Sequence, residues 1–268
     1  MLDLDGARGF VFDVDGTLVH RGPDGRAHPA PGAVEVLERI RASGRRLALF
    51  TNGSHVPSAA IAAGLREDGL PVSDHEMLTP TDSAITYLRS SHRDDRVLLF
   101  GSDAVAAHMR AAGVALTTDE DAAAVYVAHL QQVELDEVER AARAVSRGAP
   151  LLTASYVRGY AGANGIIFSR GAMITAAIAK VTGARPRVLG KPSRAAVAEL
   201  ASRLNVPSTE TVVVGDDLDL DVALGRLGRA RTILVRSGIS GQVELDRLPE
   251  RRRPDAAIDS VAELLGSL

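Results

Sequence analysis

Three short apolar runs in this chain each end in polar side chains suited to phosphate and a divalent cation. They are Phe10-Val11-Phe12-Asp13-Val14-Asp15-Gly16-Thr17, Leu47-Ala48-Leu49-Phe50-Thr51-Asn52-Gly53 and Thr211-Val212-Val213-Val214-Gly215-Asp216-Asp217. A fourth piece, Gly190-Lys191-Pro192, places a cation at the start of a helical pattern. Any one of them alone reads as an ordinary strand-end turn. Together and in this order they point to phosphoryl transfer, because parallel strands set their carboxyl ends along one edge of a sheet.

Asp13 and Asp15 are two apart, and alternate residues of a strand share a face, so both carboxylates are expected to meet one pocket. One of the pair can attack phosphorus to form an aspartyl-phosphate while the other protonates the leaving oxygen. Thr51 and Asn52 offer a hydroxyl and an amide to phosphate oxygens, next to the backbone N–H groups of a helix start. Lys191 is a point charge able to neutralise phosphate and a carboxylate together. It is not a Walker-type lysine: Pro192 stands where that motif needs Ser or Thr, and Gly183 lies too far upstream. Asp216, Asp217, Asp219 and Asp221 cluster after the valine run. Magnesium takes one or two carboxylates, with water and substrate phosphate completing its octahedron. The spacing does not fit an EF-hand loop. Asp217 and Asp219 read better as acidic residues at a helix N-terminus, where the dipole favours them.

These segments need a scaffold, and the rest of the chain supplies the pattern of one. Short apolar runs alternate with helical periodicity, which argues for βαβ units and a parallel sheet. Gly22-Pro23-Asp24-Gly25 reads as a turn, and a helix begins near Pro31 with Val34, Leu37 and Ile40 on one face and Gly44 at its end. Ile61 and Leu65 mark another helix, followed by the short run Met77-Leu78 and a helix from Pro80 through Leu88. Val97–Phe100, Val125–Ala128 and Leu151-Leu152-Thr153 repeat the strand theme without its acids, with the charged helical stretch Glu134–Arg147 between the last two. The Gly-rich stretch from 159 to 165 precedes the helical pattern Ala172–Val181. Strands at Thr211–Val214 and Thr232–Val235 and a helix near Val261–Leu265 finish the pattern, and the arginine run at 251–253 reads as a solvated loop.

Composition narrows the class. At 268 residues, two domains or one with a large insertion is expected. An apolar content of 46% is ample for a core, but aromatic residues make up only 3%, so Ala, Val, Leu and Ile must do most of the packing. A net charge of -3 offers no bulk attraction to nucleic acid or an anionic membrane. Cysteine is absent, which removes disulfides and thiolate metal sites. No apolar stretch has the length of a membrane span, and the acidic start lacks the features of a secretory signal. The expected location is cytoplasmic, with no nucleic-acid or membrane partner.

The four segments, in order, resemble the four motifs of the haloacid dehalogenase superfamily of Asp-nucleophile phosphatases: Asp13-Val14-Asp15-Gly16-Thr17-Leu18, Thr51-Asn52, Gly190-Lys191-Pro192, and Gly215-Asp216-Asp217 with Asp221. The chain is most similar to the branch with bacterial nucleotide and sugar-phosphate phosphatases and the phosphoglycolate, pyridoxal-phosphate and p-nitrophenyl phosphatases. Pro31-Gly32-Ala33, Thr232-Ile233-Leu234-Val235 and Ser237-Gly238 also look like that branch. The resemblance implies an α/β fold with a Rossmann-like parallel-sheet core, residues 1–80 and 187–268. A smaller α/β cap, residues 81–186, would be inserted as a lid that selects the substrate, its Tyr156–Tyr160 loop pointing toward Asp13. It further implies Asp13 as nucleophile and metal ligand, and Asp15 as general acid/base whose backbone carbonyl also binds the metal. Thr51, Asn52 and Gly53 would hold phosphate, Lys191 would orient nucleophile and phosphoryl oxygens, Asp216 would complete the Mg2+ site, and Asp221 would support it. Gly53 departs from the Asn often found there. Thr153-Ala154-Ser155-Tyr156 stands where many relatives carry Thr-Asn-x-Asp, which leaves Arg158 as a candidate for a substrate anion and His129 as a structural histidine.

The activity so implied is magnesium-dependent hydrolysis of a small phosphorylated metabolite: a sugar phosphate, glycerol phosphate, phosphoglycolate or nucleotide. Two other readings stay open on the sequence. One is a phosphotransferase or phosphomutase that passes the same intermediate to a hydroxyl, and the other is a metabolite-binding regulator that keeps the fold. A homodimer formed through the cap is also compatible with it.

Overall fold

The computed structural model describes every residue except Met1, Asp3, Ala163 and Asn164, and the side chains of residues 160–166 also lie outside the description. Tyr160, singled out in the sequence as part of the substrate loop, is therefore outside the described side chains. The chain divides into two compact units. One comprises Met1–Thr51, Ser58–Leu78 and Lys191–Leu268; the other comprises Asn52–Pro57 and Thr79–Gly190.

In chain order the first unit contributes β1 (Gly9–Phe12), β2 (Val19–Arg21), β3 (Ala27–Pro29), α1 (Ala33–Ala42), β4 (Arg46–Phe50), α2 (Ser58–Glu67) and β5 (Met77–Leu78). The second unit contains α3 (Pro80–Ser91), β6 (Arg96–Phe100), α4 (Asp103–Ala111), β7 (Ala115–Thr117), β8 (Ala124–Val127), α5 (Leu135–Ser146), β9 (Leu151–Thr153), β10 (Gly159–Gly162), β11 (Gly165–Phe168), α6 (Arg170–Thr182) and β12 (Arg187–Val188). The first unit resumes with α7 (Arg194–Leu204), β13 (Thr211–Gly215), α8 (Ala223–Gly228), β14 (Arg231–Val235) and β15 (Ala256–Ile258), and a 3-10 helix (Val261–Gly266) follows.

The first unit is built on a parallel sheet of order β15-β14-β13-β1-β4-β5. Its central strands are buried on both faces, which is why they read as unbroken apolar runs in the sequence. Alternation then divides their side chains. Phe10, Phe12, Leu49, Val212 and Val214 pack with Val36, Leu37 and Ile40 of α1 and with Val261 and Leu264. Val11, Ala48, Phe50 and Val213 pack with Ala196, Leu200 and Leu204 of α7 and with Leu224 of α8. Burying each Val, Leu, Ile or Phe of these sets stabilises the fold by about 1.5–3 kcal/mol. From β1 the chain proceeds outward through β4 to β5, and from β13 outward in the other direction through β14 to β15. The order therefore reverses between β1 and β13, which leaves a crevice at their carboxyl ends.

The second unit repeats the principle with a parallel sheet of order β12-β9-β8-β6-β7. Leu98, Phe100, Val125, Val127 and Leu151 pack there against Ala141, Ala144 and Val145 of α5 and Ile174 and Ile178 of α6. The short segment Asn52–Pro57 is tied into this unit: the Ser102 hydroxyl donates to the His55 carbonyl at 2.8 Å, and the His129 N–H donates to the Ser54 carbonyl at 3.4 Å.

Three elements differ from the sequence pattern. The glycine-rich stretch holds the antiparallel pair β10–β11, in register from Gly159 opposite Phe168, rather than serving only as a helix lead-in. Val261–Gly266 winds as a 3-10 helix, a form suited to short pieces, with a Ser260–Glu263 capping box. The arginine run is exposed but anchored: Arg252 pairs with Asp219 at 2.5 Å, and Arg226 donates to the Arg253 carbonyl at 2.6 Å.

Two helical glycines should respond oppositely to alanine. A Cβ on Gly225 would collide with the Thr232 methyl group and sit 3.3 Å from Val213 Cβ, because α8 presses directly on the sheet. Overpacking of this kind costs about 1–3 kcal/mol. A Cβ on Gly64 meets nothing within 4 Å, so Gly64→Ala should gain about 0.5–1 kcal/mol from helix propensity. Thermal unfolding should place Gly225→Ala several degrees below the wild type and Gly64→Ala slightly above it. Shifts of the same sign would contradict this packing.

Candidate active site

Adjacent strands β4, β1 and β13 end side by side, with Phe12 in register with both Leu49 and Val214. The next residues on each strand are those with chemistry. The Asp13 N–H donates to the Val214 carbonyl at 2.9 Å, so the ladder continues one residue past β1 and fixes the Asp13 backbone against β13. Lys191, brought in at the start of the α7 segment, is 3% exposed. Its Nζ donates to Asp13 Oδ1 at 2.6 Å and to Asp221 Oδ1 at 2.7 Å. The Thr17 hydroxyl donates to the other oxygen of Asp13 at 3.3 Å. Asp216, directly after β13, accepts from the Ile239 N–H at 2.7 Å, and Asp221 accepts from the Asp217 N–H at 3.1 Å.

Oxygens of Asp13, Asp216 and Asp221 lie within 4.8 Å of one another. Three glycines make the room for them. A Cβ on Gly16, which has φ 88°, would come 2.5 Å from Asp216 Oδ2; one on Gly238 would overlap the same carboxylate; and one on Gly215 would overlap that of Asp221. Only a residue without a side chain fits at these points, and Gly16 also needs the left-handed backbone.

Three carboxylates around one ammonium leave an excess of negative charge in a poorly hydrated place. Burial pushes the Asp216 carboxyl up to about 6, with the Asp13 charge adding to it and the Ile239 N–H opposing. Burial works against the Lys191 ammonium too, but Asp13 and Asp221 outweigh it and hold the amine firmly protonated. Burial pushes the Asp221 carboxyl up, with Lys191 pulling the other way. The two directions are consistent, because one ammonium cannot neutralise two carboxylates. A divalent cation on Asp13 and Asp216 would remove the excess charge, and an all-oxygen donor set is the kind magnesium takes. The residues present therefore fit such an ion.

Asp15 is not one of these three grouped carboxylates. The strand ends at Phe12 and the chain turns, with the Leu18 N–H donating to the Val14 carbonyl at 2.9 Å and the Gly16 N–H to the Val19 carbonyl at 2.8 Å. Strand alternation therefore does not extend to Asp15, and its carboxylate accepts from Arg21 Nε of β2 at 2.7 Å instead of joining the cluster. Surrounding protein, and Asp13 to a lesser degree, raise its carboxyl above the ordinary range while Arg21 lowers it. Nearly half of the side chain is open to water, which weakens both effects.

The remaining candidates fall on either side of the division. Thr51 is buried at the end of β4, with its N–H donating to the Leu78 carbonyl at 3.3 Å. Asn52 and Gly53 belong to the second unit, where a Cβ on Gly190 would come 2.7 Å from Asn52 Oδ1. Arg158 and Tyr156 are exposed between β9 and β10, and the Arg158 carbonyl accepts from the Ser169 N–H at 3.0 Å. His129 is drawn below its usual value by burial, then by His55 and Arg170. Asp217 caps the π-helical turn Leu218–Val222 through the N–H groups of Asp219 and Leu220. Sequence reasoning did not anticipate Arg21 on Asp15 or the Ile239 N–H on Asp216. The first is a choice of rotamer made across a turn, six positions apart in sequence, and the second is a backbone donor that leaves no mark in residue type.

A family model described as haloacid dehalogenase-like hydrolase matches residues 10–115, and a second, HAD-hydrolase-like model matches residues 188–264. The ribonucleotide monophosphatase NagD of Escherichia coli (strain K12) is 30% identical over 257 residues, covering 95% of this chain and 96% of its own. A p-nitrophenyl phosphatase from Archaeoglobus fulgidus superposes with a TM-score of 0.86 at 26% identity, over 98% of this chain and 99% of that one. A glycerol phosphate phosphatase from Mycobacterium tuberculosis, solved in complex with magnesium, superposes with a TM-score of 0.83 at 25% identity, over 95% and 75% of the two chains. With a carboxylate–lysine cluster at the switch point of a parallel sheet and these likenesses along its whole length, the chain belongs to the haloacid dehalogenase-like hydrolases, among their phosphatases.

Proposed function

We propose that this chain hydrolyses the phosphomonoester of a small metabolite, such as a sugar phosphate, glycerol phosphate, phosphoglycolate or nucleotide, by way of an aspartyl-phosphate on Asp13. The observation that carries the reading is the buried Lys191 ammonium 2.6 Å from Asp13 Oδ1, which fixes the carboxylate and places a permanent positive charge where phosphoryl oxygens would arrive. An Asp13 oxygen attacks phosphorus, and the bond from phosphorus to the leaving oxygen breaks. The Asp15 carboxyl gives its proton to that oxygen, then takes one from water as the water attacks phosphorus and releases Asp13. Thr51, Asn52 and Gly53 are the phosphate donors in this scheme.

For Asp15 to reach a leaving group, its carboxyl must exchange the Arg21 contact for that oxygen. Exposed ion pairs are worth about 0.2–1 kcal/mol, so the exchange is cheap beside the barrier of the chemical step. Asp13, Asp216 and the Asp15 backbone carbonyl would hold Mg2+, with Asp221 bracing Lys191. When bound, the ion neutralises charge on the carboxylates and on phosphate oxygens. The second unit, with Arg158, is proposed to select the substrate as a cap does, since the carboxylate cluster reads only the phosphate shared by all candidates.

Asp13→Asn, close in shape but a poor nucleophile, should lower kcat by roughly a thousandfold or more while leaving the circular dichroism spectrum unchanged. Turnover near the wild-type rate would rule out the covalent step. Asp15→Asn should impair alkyl phosphates far more than aryl phosphates, whose leaving groups need little protonation; an equal loss for both would remove Asp15 from the acid role. Exhaustive chelation should abolish activity, magnesium should restore it, and calcium should restore it poorly because its looser shell misplaces the carboxylate. Activity that survives chelation would contradict the cation site. Arg158→Ala should raise KM for the preferred metabolite well above any change with p-nitrophenyl phosphate, and equal changes in the two would deny Arg158 a specificity role.

A further inference from the structure

The second unit has a switch point of its own. From β6 the chain passes through α4 to β7 on one side of the strand, whereas β8, paired on the other side of β6, leads through α5 to β9. In open parallel sheets the crevice beyond the carboxyl ends at such a reversal is where ligands bind. A small cleft of about 140 Å³ lies there, below the usual range for drug-sized ligands and sized for a ligand of a few carbon atoms. The ends of β6 and the Leu130 side chain give it an apolar floor, and Thr117, Thr118, Gln132, Glu137 and Arg140 give it a polar rim. None of these residues belongs to the carboxylate–lysine cluster.

Arg140 is the informative member. The other arginine of α5, Arg143, is paired with Glu139 at 2.6 Å and with Glu120, and Arg147 at the helix end is paired with Glu120 at 3.1 Å. Arg140 is half-buried against the cleft and makes no hydrogen bond or ion pair among the described residues. Gln132 likewise has none. Glu137 is committed on one oxygen to the Glu134 N–H at 3.0 Å, closing the capping box of α5, and keeps its negative charge at the rim. With no partner on the protein, the planar fork of this half-buried arginine is open to an oxyanion, and its geometry matches a carboxylate. The charge of Glu137 nearby disfavours a second anionic group and favours a hydroxyl or ammonium donor.

We infer that this cleft is a second ligand site, and that it takes a small organic acid with one carboxylate on Arg140 and hydroxyl or amino donors facing Glu137, Gln132 and the two threonines. The carboxylate forms a paired, charge-assisted contact with the guanidinium, and the short carbon body covers Leu98, Phe100 and Leu130. Such a ligand carries no phosphate and is not a substrate of the catalytic cluster, so occupancy is separable from turnover.

Glycerate, with one carboxylate and two hydroxyls, is the probe. Titrated into the full chain up to about 10 mM and followed by amide chemical shifts, it should perturb the signals of residues 98–101, 117–118, 132 and 137–140 with saturation in the millimolar range or tighter. Arg140→Ala should weaken the fit by about tenfold or more, and Arg140→Lys should weaken it less. Glycerol, which lacks the charge, and malonate, which adds a second one, should bind more weakly than glycerate. Asp13→Asn should bind glycerate as the wild type does, whatever becomes of its turnover. The inference is overturned if glycerate leaves those signals unmoved, if Arg140→Ala binds it unchanged, or if glycerol binds as tightly.

Discussion

The first unit is organised around one cation shared by two carboxylates. Lys191 Nζ sits between Asp13 and Asp221 with almost no solvent contact. Removing an ammonium and two carboxylates from water costs several kcal/mol per ion, and such an arrangement lasts only where geometry and further hydrogen bonds compensate. The structure supplies these from every side: the Thr17 hydroxyl on Asp13, the Asp217 N–H on Asp221, and the Ile239 N–H on the neighbouring Asp216. The charged groups come from three separate segments of the chain. Asp13 follows β1, Asp216 follows β13, Asp221 lies in a π-helical turn, and Lys191 precedes α7. The parallel sheet is what lets segments so distant in sequence share one charge balance.

The same constraint explains where glycine stands. A cluster this tight admits no side chain beside Asp216 or Asp221, so Gly16, Gly215 and Gly238 close on the carboxylates with backbone alone. The strands behind them are indifferent to chemistry and answer to packing: phenylalanines and leucines on one face, smaller valine and alanine with Phe50 on the other. Reactive positions thus begin where the ladder ends, and the residues before them hold the register that sets their spacing.

Much of this was legible in the sequence, for physical reasons that also mark its limits. Strands buried on both faces must be unbroken apolar runs, so β1, β4, β13 and β14 stood out, and the polar residues after them located the site edge. Lys191 was legible as a charge, but its bond to Asp221, thirty positions away in sequence, depends on packing that no local pattern encodes. The Arg21 contact of Asp15 is made across a turn after Phe12, where strand alternation no longer indicates which way a side chain faces. The β10–β11 pair was hidden by its glycines, which argue against strands until a partner supplies the hydrogen bonds. The segment Asn52–Pro57 follows a core strand in sequence yet belongs with the second unit, a choice made by the Ser102 and His129 contacts.

The tether on Asp216 has a consequence for how this site can drift. Its donor is the main-chain N–H of Ile239, a residue 66% exposed. Nineteen of the twenty amino acids carry that same donor, so position 239 can change freely at its surface while its tie to the carboxylate stays intact. A scan that trims side chains one at a time would score Ile239 as dispensable. Only proline, which removes the hydrogen, would show that a residue of no fixed type is part of the charge balance.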